Sequence, residues 1–318
     1  MTPRPLHQFF DAMYHGKYQF EDFLELEPKE HYTPVPLSGR TIYKPSKVLK
    51  EFHTFLNGFV LVHLPVNTTV SFAYRKGVSL LEAVTPHADS RAFYQTDIQH
   101  FFESINVKLI KSALIKADTP VTDLNDFFDH ILDLITVDGS LPIGYSTSPI
   151  LSNACLHGFD ERLAYISYKN EWIYTRYADD IIISGADRKS VQNAQSEIKN
   201  CLLEELGEGF KLNLNKSKLT TVGRKVKILG LVILPNGDIS IDRSVRDKIE
   251  ARLFFYINDR KKLAKIFVEE KNDGMEDGLQ RLSGLIGYVH TIDPLYLEKL
   301  RMKFGTTVID SFLHRSAQ

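Results

Sequence analysis

The spacing of apolar and polar positions divides the chain into helices and short strands. The first sixty or so residues carry helix-like spacing in part, broken by HYTPVPLSGR (31–40), and TIYKPS (41–46) reads as a short strand running into a loop. KVLKEFHTFLNGFVLVHL (47–64) has helical apolar spacing, FAYRKG (72–77) reads as strand then turn, and RAFYQTDIQHFFESI (91–105) begins as a strand and ends as a helix start. Residues 108–137 predict two helices separated by a proline-containing turn. LPIGYSTSPILSNACLHGFDERLAYISYK (141–169) predicts a Gly/Ser/Pro loop feeding one long amphipathic helix. WIYTRYADDIIISG (172–185) reads as a hairpin, and residues 190–210 as a helix stopped by glycine. KLTTV (218–222) and KVKILGLVILPNGDISI (225–241) predict further strands, the latter a hairpin turning at PNGD. Everything after Arg243 has helical spacing. The order implies an α+β core with a helical appendage.

Composition changes this picture little. The 318 residues are 43% hydrophobic and 25% charged, enough apolar content for a sizeable core. No apolar run approaches the length of a membrane span, and the N-terminus lacks the apolar stretch of a secretory signal. The two cysteines, Cys155 and Cys201, form no CxxC pair, so a zinc site or disulfide framework is not expected. These features predict a cytoplasmic protein. Net charge is −1, but its distribution is uneven: residues 211–230 carry six basic residues and no acidic one. That run suggests a basic track for a polyanion, although a solvated mixed surface would also produce it.

The candidate chemistry lies in YTRYADDIIIS (174–184), where Asp179 and Asp180 adjoin in the middle of a predicted hairpin. Like charges repel, and aspartate is a poor strand former. Asp97, in YQTDIQHFF, sits at the end of another predicted strand. Three carboxylates meeting on neighbouring strands would raise one another's pKa unless a cation sat among them. An all-oxygen donor set suits Mg²⁺ or Mn²⁺, and two such ions support in-line phosphoryl transfer. Taken alone, the pair would equally fit an incidental surface turn.

The surrounding segments give the pair its context. Tyr177-Ala178-Asp179-Asp180 resembles the YxDD motif of reverse transcriptases, and Asp97 resembles the first catalytic aspartate of their palm. LPIGYSTSP (141–149) is similar to the loop that packs under the nascent base pair, FAYRKG to the fingers strand that grips the triphosphate, and TIYKPS to the first fingers motif. EGFKLNLNKSK (208–218) and ILGLVI (228–233) resemble the later palm strands and primer grip. The resemblance implies a right-hand polymerase fold with fingers, a palm of antiparallel sheet plus helices, and a small helical thumb. The N-terminal region and fingers would be 1–90 and 105–138, the palm 91–104 and 139–242, and the thumb 243–318. A thumb of that length would leave no room for an RNase H, integrase, protease or homing endonuclease domain.

The implied roles follow residue by residue. Asp97, Asp179 and Asp180 would be catalytic and, with Ile98 beside them, would hold two Mg²⁺ ions, with Mn²⁺ as an alternative. Arg75, Lys76, Phe102, Gly144 and Lys218 would contact the dNTP, Lys218 in preference to Lys216 near the leaving pyrophosphate. The Phe102 ring would exclude a 2′-hydroxyl, which argues for DNA synthesis over RNA synthesis. Lys44, Arg224, Lys225, Lys227, Arg243, Arg246, Arg252 and Lys261 would contact RNA or DNA. The implied partners are a structured non-coding RNA template, its DNA product and dNTPs, without a membrane; an accessory toxin or effector would accompany an antiphage role. TRYADD and RTIYKPS are especially retron-like. Two departures weigh against a retron: AVTPH (83–87) stands where retron enzymes carry NAxxH, and Ile228-Leu229-Gly230 where they carry VTG. Ile143 stands where many relatives have Gln beside the nucleotide. A catalytically silent RNA-binding scaffold of the same fold is the competing reading.

Overall fold

The computed structural model describes residues 2–37, 39–223, 225–271 and 274–316, and they fall into two compact units. The first comprises residues 1–83 and 91–220, the second 84–90 and 221–318.

The first unit is built on a four-stranded sheet. Its strands are β3 (Ala92–Asp97), β4 (Ile173–Tyr177), β5 (Asp180–Gly185) and β6 (Lys218–Thr221), in the order β4-β5-β3-β6. The two central strands, β3 and β5, are buried almost throughout, as the continuous Ile181-Ile182-Ile183 run requires. Helices Ser148–Cys155, His157–Lys169 and Ala194–Leu206 supply apolar residues to the same core. A second part of that core is aromatic: Phe10, Phe23, Phe52 and Phe55 pack edge-on or tilted around one another. A separate two-stranded ribbon pairs β1 (Tyr32–Leu37) with β2 (Arg40–Pro45), and Ser46 then caps helix Lys47–Phe59 by accepting from the Leu49 amide.

Three local expectations differ from what forms. HYTPVPLSGR interrupts helical spacing as expected, but its first half is a strand, β1, paired with β2 along its whole length. Pro34 and Pro36 are two residues apart, so both ring nitrogens face the side of the ribbon that makes no ladder bonds. FAYRKG is not a strand: Ser71 bridges Arg176 in parallel, and Tyr74 at φ 59° turns the chain out of extended geometry. The single helix expected after the 141–149 loop is two, because Leu156 (φ −91°, ψ 4°) leaves helical geometry between them.

Among the described residues the second unit contains a three-stranded antiparallel sheet, β7 (Val226–Ile228), β8 (Leu231–Ile233) and β9 (Ile239–Ile241), and five helices from Arg243 to Ser316. The Pro235–Asp238 turn joins β8 to β9, with Gly237 at φ 88°. The compact boundary lies at Thr221, so these strands group with the helical tail rather than with the sheet that carries the aspartates. Among the described residues no helix is long and apolar enough to cross a membrane. Both cysteines are free and buried.

The first unit's interior holds a fully buried ion pair. Arg176 on β4 and Asp160 on helix His157–Lys169 are both fully buried and face each other through two bonds, Nε to Oδ1 at 2.7 Å and Nη2 to Oδ2 at 2.6 Å. Burial alone would lower the Arg176 pKa, but the adjacent Asp160 carboxylate more than reverses this, and the guanidinium stays charged. Removing one partner strands a charge in the core. Asp160→Ala should therefore cost about 3–5 kcal/mol of stability, read as a lowered midpoint in urea unfolding; a loss below about 1 kcal/mol would mean that the pair is not closed in solution.

Candidate active site

Strand pairing brings the carboxylates together. β3 runs antiparallel to β5 in a register that sets Asp97 opposite Asp180. β4 and β5 pair up to Tyr177 opposite Asp180, which leaves Ala178 and Asp179 as a two-residue turn. Ala178 sits at φ 57°, a conformation that side-chain-bearing residues seldom adopt. The turn is held from two sides: the Ile98 amide donates to the Asp179 carbonyl at 3.1 Å, and Arg176 Nη1 donates to the Ala178 carbonyl at 2.9 Å.

Asp97 is buried, Asp179 partly so, and Asp180 exposed. Asp97 Oδ2 accepts from Lys216 Nζ at 3.0 Å and from Asn213 Nδ2 at 3.4 Å, and its carbonyl accepts from the Asn213 amide at 2.8 Å. Its Oδ1 is buried without a hydrogen-bond partner. Desolvation, then the Asp179 and Asp97 charges, push the Asp180 carboxyl up to about 6. Asp179 is raised by desolvation and by Asp97 as well, against the pull of Lys216 and Arg40. The Asp97 hydrogen bond raises the Lys216 ammonium in turn.

This donor set fits a divalent cation. An orphaned carboxylate oxygen and two carboxylates that resist ionisation side by side are what a cation would satisfy. Ile98, with its main chain at the foot of the turn, lies in the same place. Among the described residues, no three His, Cys, Asp or Glu side chains are already drawn in around one point.

The residues expected around a nucleotide are distributed as follows. Phe102 is half-buried, 5.4 Å from the Phe101 ring and 6.4 Å from the Tyr74 ring. Desolvation and then the Asp179 charge raise the phenol of Tyr74, the ring that faces Phe102. Arg75 Nη1 donates to the carbonyls of Thr68 (2.8 Å) and Ser71 (2.7 Å), so part of its fork braces its own loop; Lys76 is exposed next to it. Gly144 has φ 110°, and a Cβ there would lie 2.5 Å from the Tyr43 carbonyl, so only glycine fits. Next to it, the Tyr43 amide donates to the Ile143 carbonyl at 2.7 Å, stitching β2 to the 141–149 loop. A cavity of about 380 Å³ opens there, lined by Arg40, Tyr43, His100, Glu103 and Ile143 among others. Lys218 acts electrostatically on Asp180, but Lys216 makes the direct carboxylate contact. Tyr74, Arg40 and Lys216 are thus site residues that spacing did not single out for these places; only Lys216 carried a signal, as the alternative to Lys218.

The basic residues expected on nucleic acid are less uniform. Lys44 is exposed on β2. In the second unit, Lys225 and Lys227 both pair with Asp242, at 2.7 and 3.3 Å. Arg246 pairs with Asp293 at 2.6 Å, and Arg252, 5% exposed, pairs with Glu270. Arg252 therefore departs from the expected phosphate contact: its guanidinium is taken into the helical packing. Arg243 and Lys261 are exposed. Arg224 lies outside the described residues.

Comparison with known proteins follows the same lines. Residues 30–233 match the family model described as reverse transcriptase (RNA-dependent DNA polymerase). The retron Ec73 reverse transcriptase of Escherichia coli is 30% identical over 87% of this chain and 87% of its own length. The retron Ec83 reverse transcriptase of Escherichia coli is 24% identical over 92% of this chain and 93% of its own length. Among solved structures, telomerase from Candida albicans with a fragment of telomeric RNA is 11% identical, with a TM-score of 0.48 over 98% of this chain and 65% of that one. A foamy viral protease–reverse transcriptase with double-stranded DNA is 17% identical, with a TM-score of 0.44 over 88% and 43%. The chain belongs to the reverse transcriptase family, has its right-hand polymerase fold, and is a retron-like RNA-directed DNA polymerase.

Proposed function

We propose that the protein copies a dedicated structured non-coding RNA into complementary DNA, in the service of antiphage defence. The observation that carries the catalytic part is the register that sets Asp97 opposite Asp180, with Asp97 Oδ1 left unsatisfied. Asp97, Asp179, Asp180 and the main chain of Ile98 would hold two Mg²⁺ ions, or Mn²⁺ in their place. Bound there, the ions supply the charge that activates a primer 3′-hydroxyl and stabilises the leaving pyrophosphate.

The chain's own residues do the rest. Lys216 orients Asp97 through its contact with Oδ2. Arg75, Lys76 and Lys218 offer cations to a triphosphate, Arg as a fork and Lys as point charges. Phe102, steadied by Phe101 and Tyr74, presents a ring where a ribose 2′-hydroxyl would lie. Gly144 lets backbone approach the nucleotide without a side chain between. Lys44, Arg243 and Lys261 are the exposed cations best suited to phosphates, so RNA binding should weaken as salt rises.

The retron relatives favour a specific form of this reading, in which the product is RNA-linked multicopy single-stranded DNA. Ala83 and the Ile228-Leu229-Gly230 triplet, which depart from the retron pattern, favour a related defence enzyme instead. A silent scaffold would have no use for adjacent carboxylates held against desolvation and each other's charge beside Asp97.

Three outcomes are expected. Protein purified with its RNA, given Mg²⁺ and labelled dNTPs, should make DNA complementary to that RNA, and Asp179→Asn/Asp180→Asn should lower the rate by at least about 10³-fold; equal labelling by both proteins would remove the carboxylates from the chemistry. Phe102→Ala should reduce discrimination against rNTPs by about 10- to 100-fold, measured as the ratio of kcat/KM for matched dNTP and rNTP; an unchanged ratio would move the steric gate elsewhere. Lowering the pH through about 6 should depress the rate as Asp180 takes up a proton. Raising the Mg²⁺ concentration should move that midpoint to lower pH, because a bound cation favours the carboxylate. A midpoint indifferent to Mg²⁺ would detach the pH effect from cation binding.

A further inference from the structure

The guanidinium of Arg176 makes five hydrogen bonds, one for each N–H that an arginine carries. Two go to Asp160 on helix His157–Lys169. Nη1 donates to Asn153 Oδ1 at 3.2 Å, on helix Ser148–Cys155, and to the Ala178 carbonyl at 2.9 Å, in the turn that carries Asp179. Nη2 also donates to Ser71 Oγ at 3.0 Å. The Ser71 hydroxyl donates onward to Asn153 Oδ1 at 3.1 Å, and Asn153 Nδ2 donates to the Ala73 carbonyl at 2.8 Å. The main chain repeats the link: the Arg176 amide donates to the Val70 carbonyl at 2.7 Å, and the Phe72 amide to the Arg176 carbonyl at 3.0 Å. Arg176, Asp160 and Ser71 are fully buried, and Asn153 is 2% exposed.

We infer that Arg176 is a positioning residue that sets two functional segments relative to each other. One is the Ala178–Asp179 turn, whose peptide orientation aims the Asp179 carboxylate. The other is the 70–73 stretch that leads into Tyr74, Arg75 and Lys76. Arg75 itself is braced on the Ser71 carbonyl, so the triphosphate-facing loop starts from the residue that Arg176 holds. Asp160 is the anchor: it neutralises the guanidinium and also accepts from the Tyr174 hydroxyl at 2.7 Å, which fixes the ring two residues before Arg176. A lysine could keep the charge opposite Asp160 but has no planar fork to reach Ala178, Ser71 and Asn153 together. This inference rests on the polymerase reading, and it separates two arms of one network. Loss of the Ser71 arm should act on the nucleotide, whereas loss of the whole fork should act on the chemical step as well.

The test uses the full chain on poly(rA)/oligo(dT) with dTTP, comparing wild type, Ser71→Ala and Arg176→Lys. Rates are normalised to the folded fraction from thermal melting. Equilibrium dTTP binding to the protein–primer–template complex is measured with Ca²⁺ in place of Mg²⁺. Ser71→Ala should weaken dTTP binding and raise its KM three- to tenfold, with kcat within twofold of wild type. Arg176→Lys should lower kcat at least tenfold and weaken dTTP binding too. If Arg176→Lys does not fold, the Ser71→Ala split between KM and kcat decides alone. Variants that melt earlier but keep wild-type kcat, KM and dTTP affinity per folded molecule would make the network purely structural and overturn the positioning role. A wild-type protein that incorporates no dNTP either on this template or on the RNA that co-purifies with it would overturn the polymerase reading, and the positioning role with it.

Discussion

The antiparallel register between β3 and β5 is the constraint on which the site depends. Side chains alternate between faces along a strand, so a slip of one residue would carry Asp97 to the opposite face from Asp180. The register is secured by burial rather than by the aspartates. Ala92, Phe93 and Tyr94 on one strand, and Ile181, Ile182 and Ile183 on the other, are at most 5% exposed. Apolar packing along the strands thus forces the carboxylates together at their ends, and desolvation there, followed by the charge of neighbouring carboxylates, raises Asp179 and Asp180.

Beneath the turn, charge is handled in the opposite way. Asp160 and Arg176 lie fully buried and mutually neutralised, with every guanidinium N–H engaged. At the turn itself, negative charge is left in excess, moderated by Lys216 on Asp97 and by the more distant pull of Arg40 and Lys218. A closed ion pair gives rigidity, whereas an open carboxylate cluster gives affinity for a cation. Keeping the two a few residues apart on β4 and β5 lets a stiff foundation support an unsatisfied surface.

Much of this was legible from the sequence, and the parts that were not have physical reasons. The β4–β5 hairpin, the strand before Asp97, the PNGD turn and the helical tail all follow from periodicity and turn chemistry. β1 was hidden because Pro34 and Pro36 count against a strand, unless it is a ribbon edge where their missing amides are not needed. Of the strand and turn that FAYRKG suggests only the turn forms: the segment starts in residues that favour extension, but Tyr74 takes φ 59°. The network around Arg176 links residues 71, 153, 160 and 176, and no local pattern announces contacts that far apart in the chain. Family resemblance pointed to the three aspartates and to Lys218 near a leaving pyrophosphate; that Lys216 contacts Asp97 is a matter of geometry that no spacing announces.

The helical unit shows why counting basic residues overstates a nucleic-acid surface. Asp242 caps helix Arg243–Asn258 through the Ser244 amide, and it also receives Lys225 and Lys227. The Lys225 ammonium, the Ser244 amide and the Ser244 hydroxyl hold its carboxyl well below the usual range. Two lysines of the basic run are therefore shared between a helix cap and solvent. Arg246 is likewise held by Asp293 while its guanidinium lies 4.4 Å from the centre of the Tyr296 ring, and Arg252 is drawn into the packing by Glu270. A phosphate competing for Arg246 would have to take it from the buried Asp293 carboxylate, and one competing for Arg252 would have to reach a buried guanidinium, whereas one approaching Arg243 or Lys261 displaces only water or a weak surface pair. The positive charge this unit can offer a polyanion is thus set less by where the basic residues occur than by which of them the fold has not already neutralised.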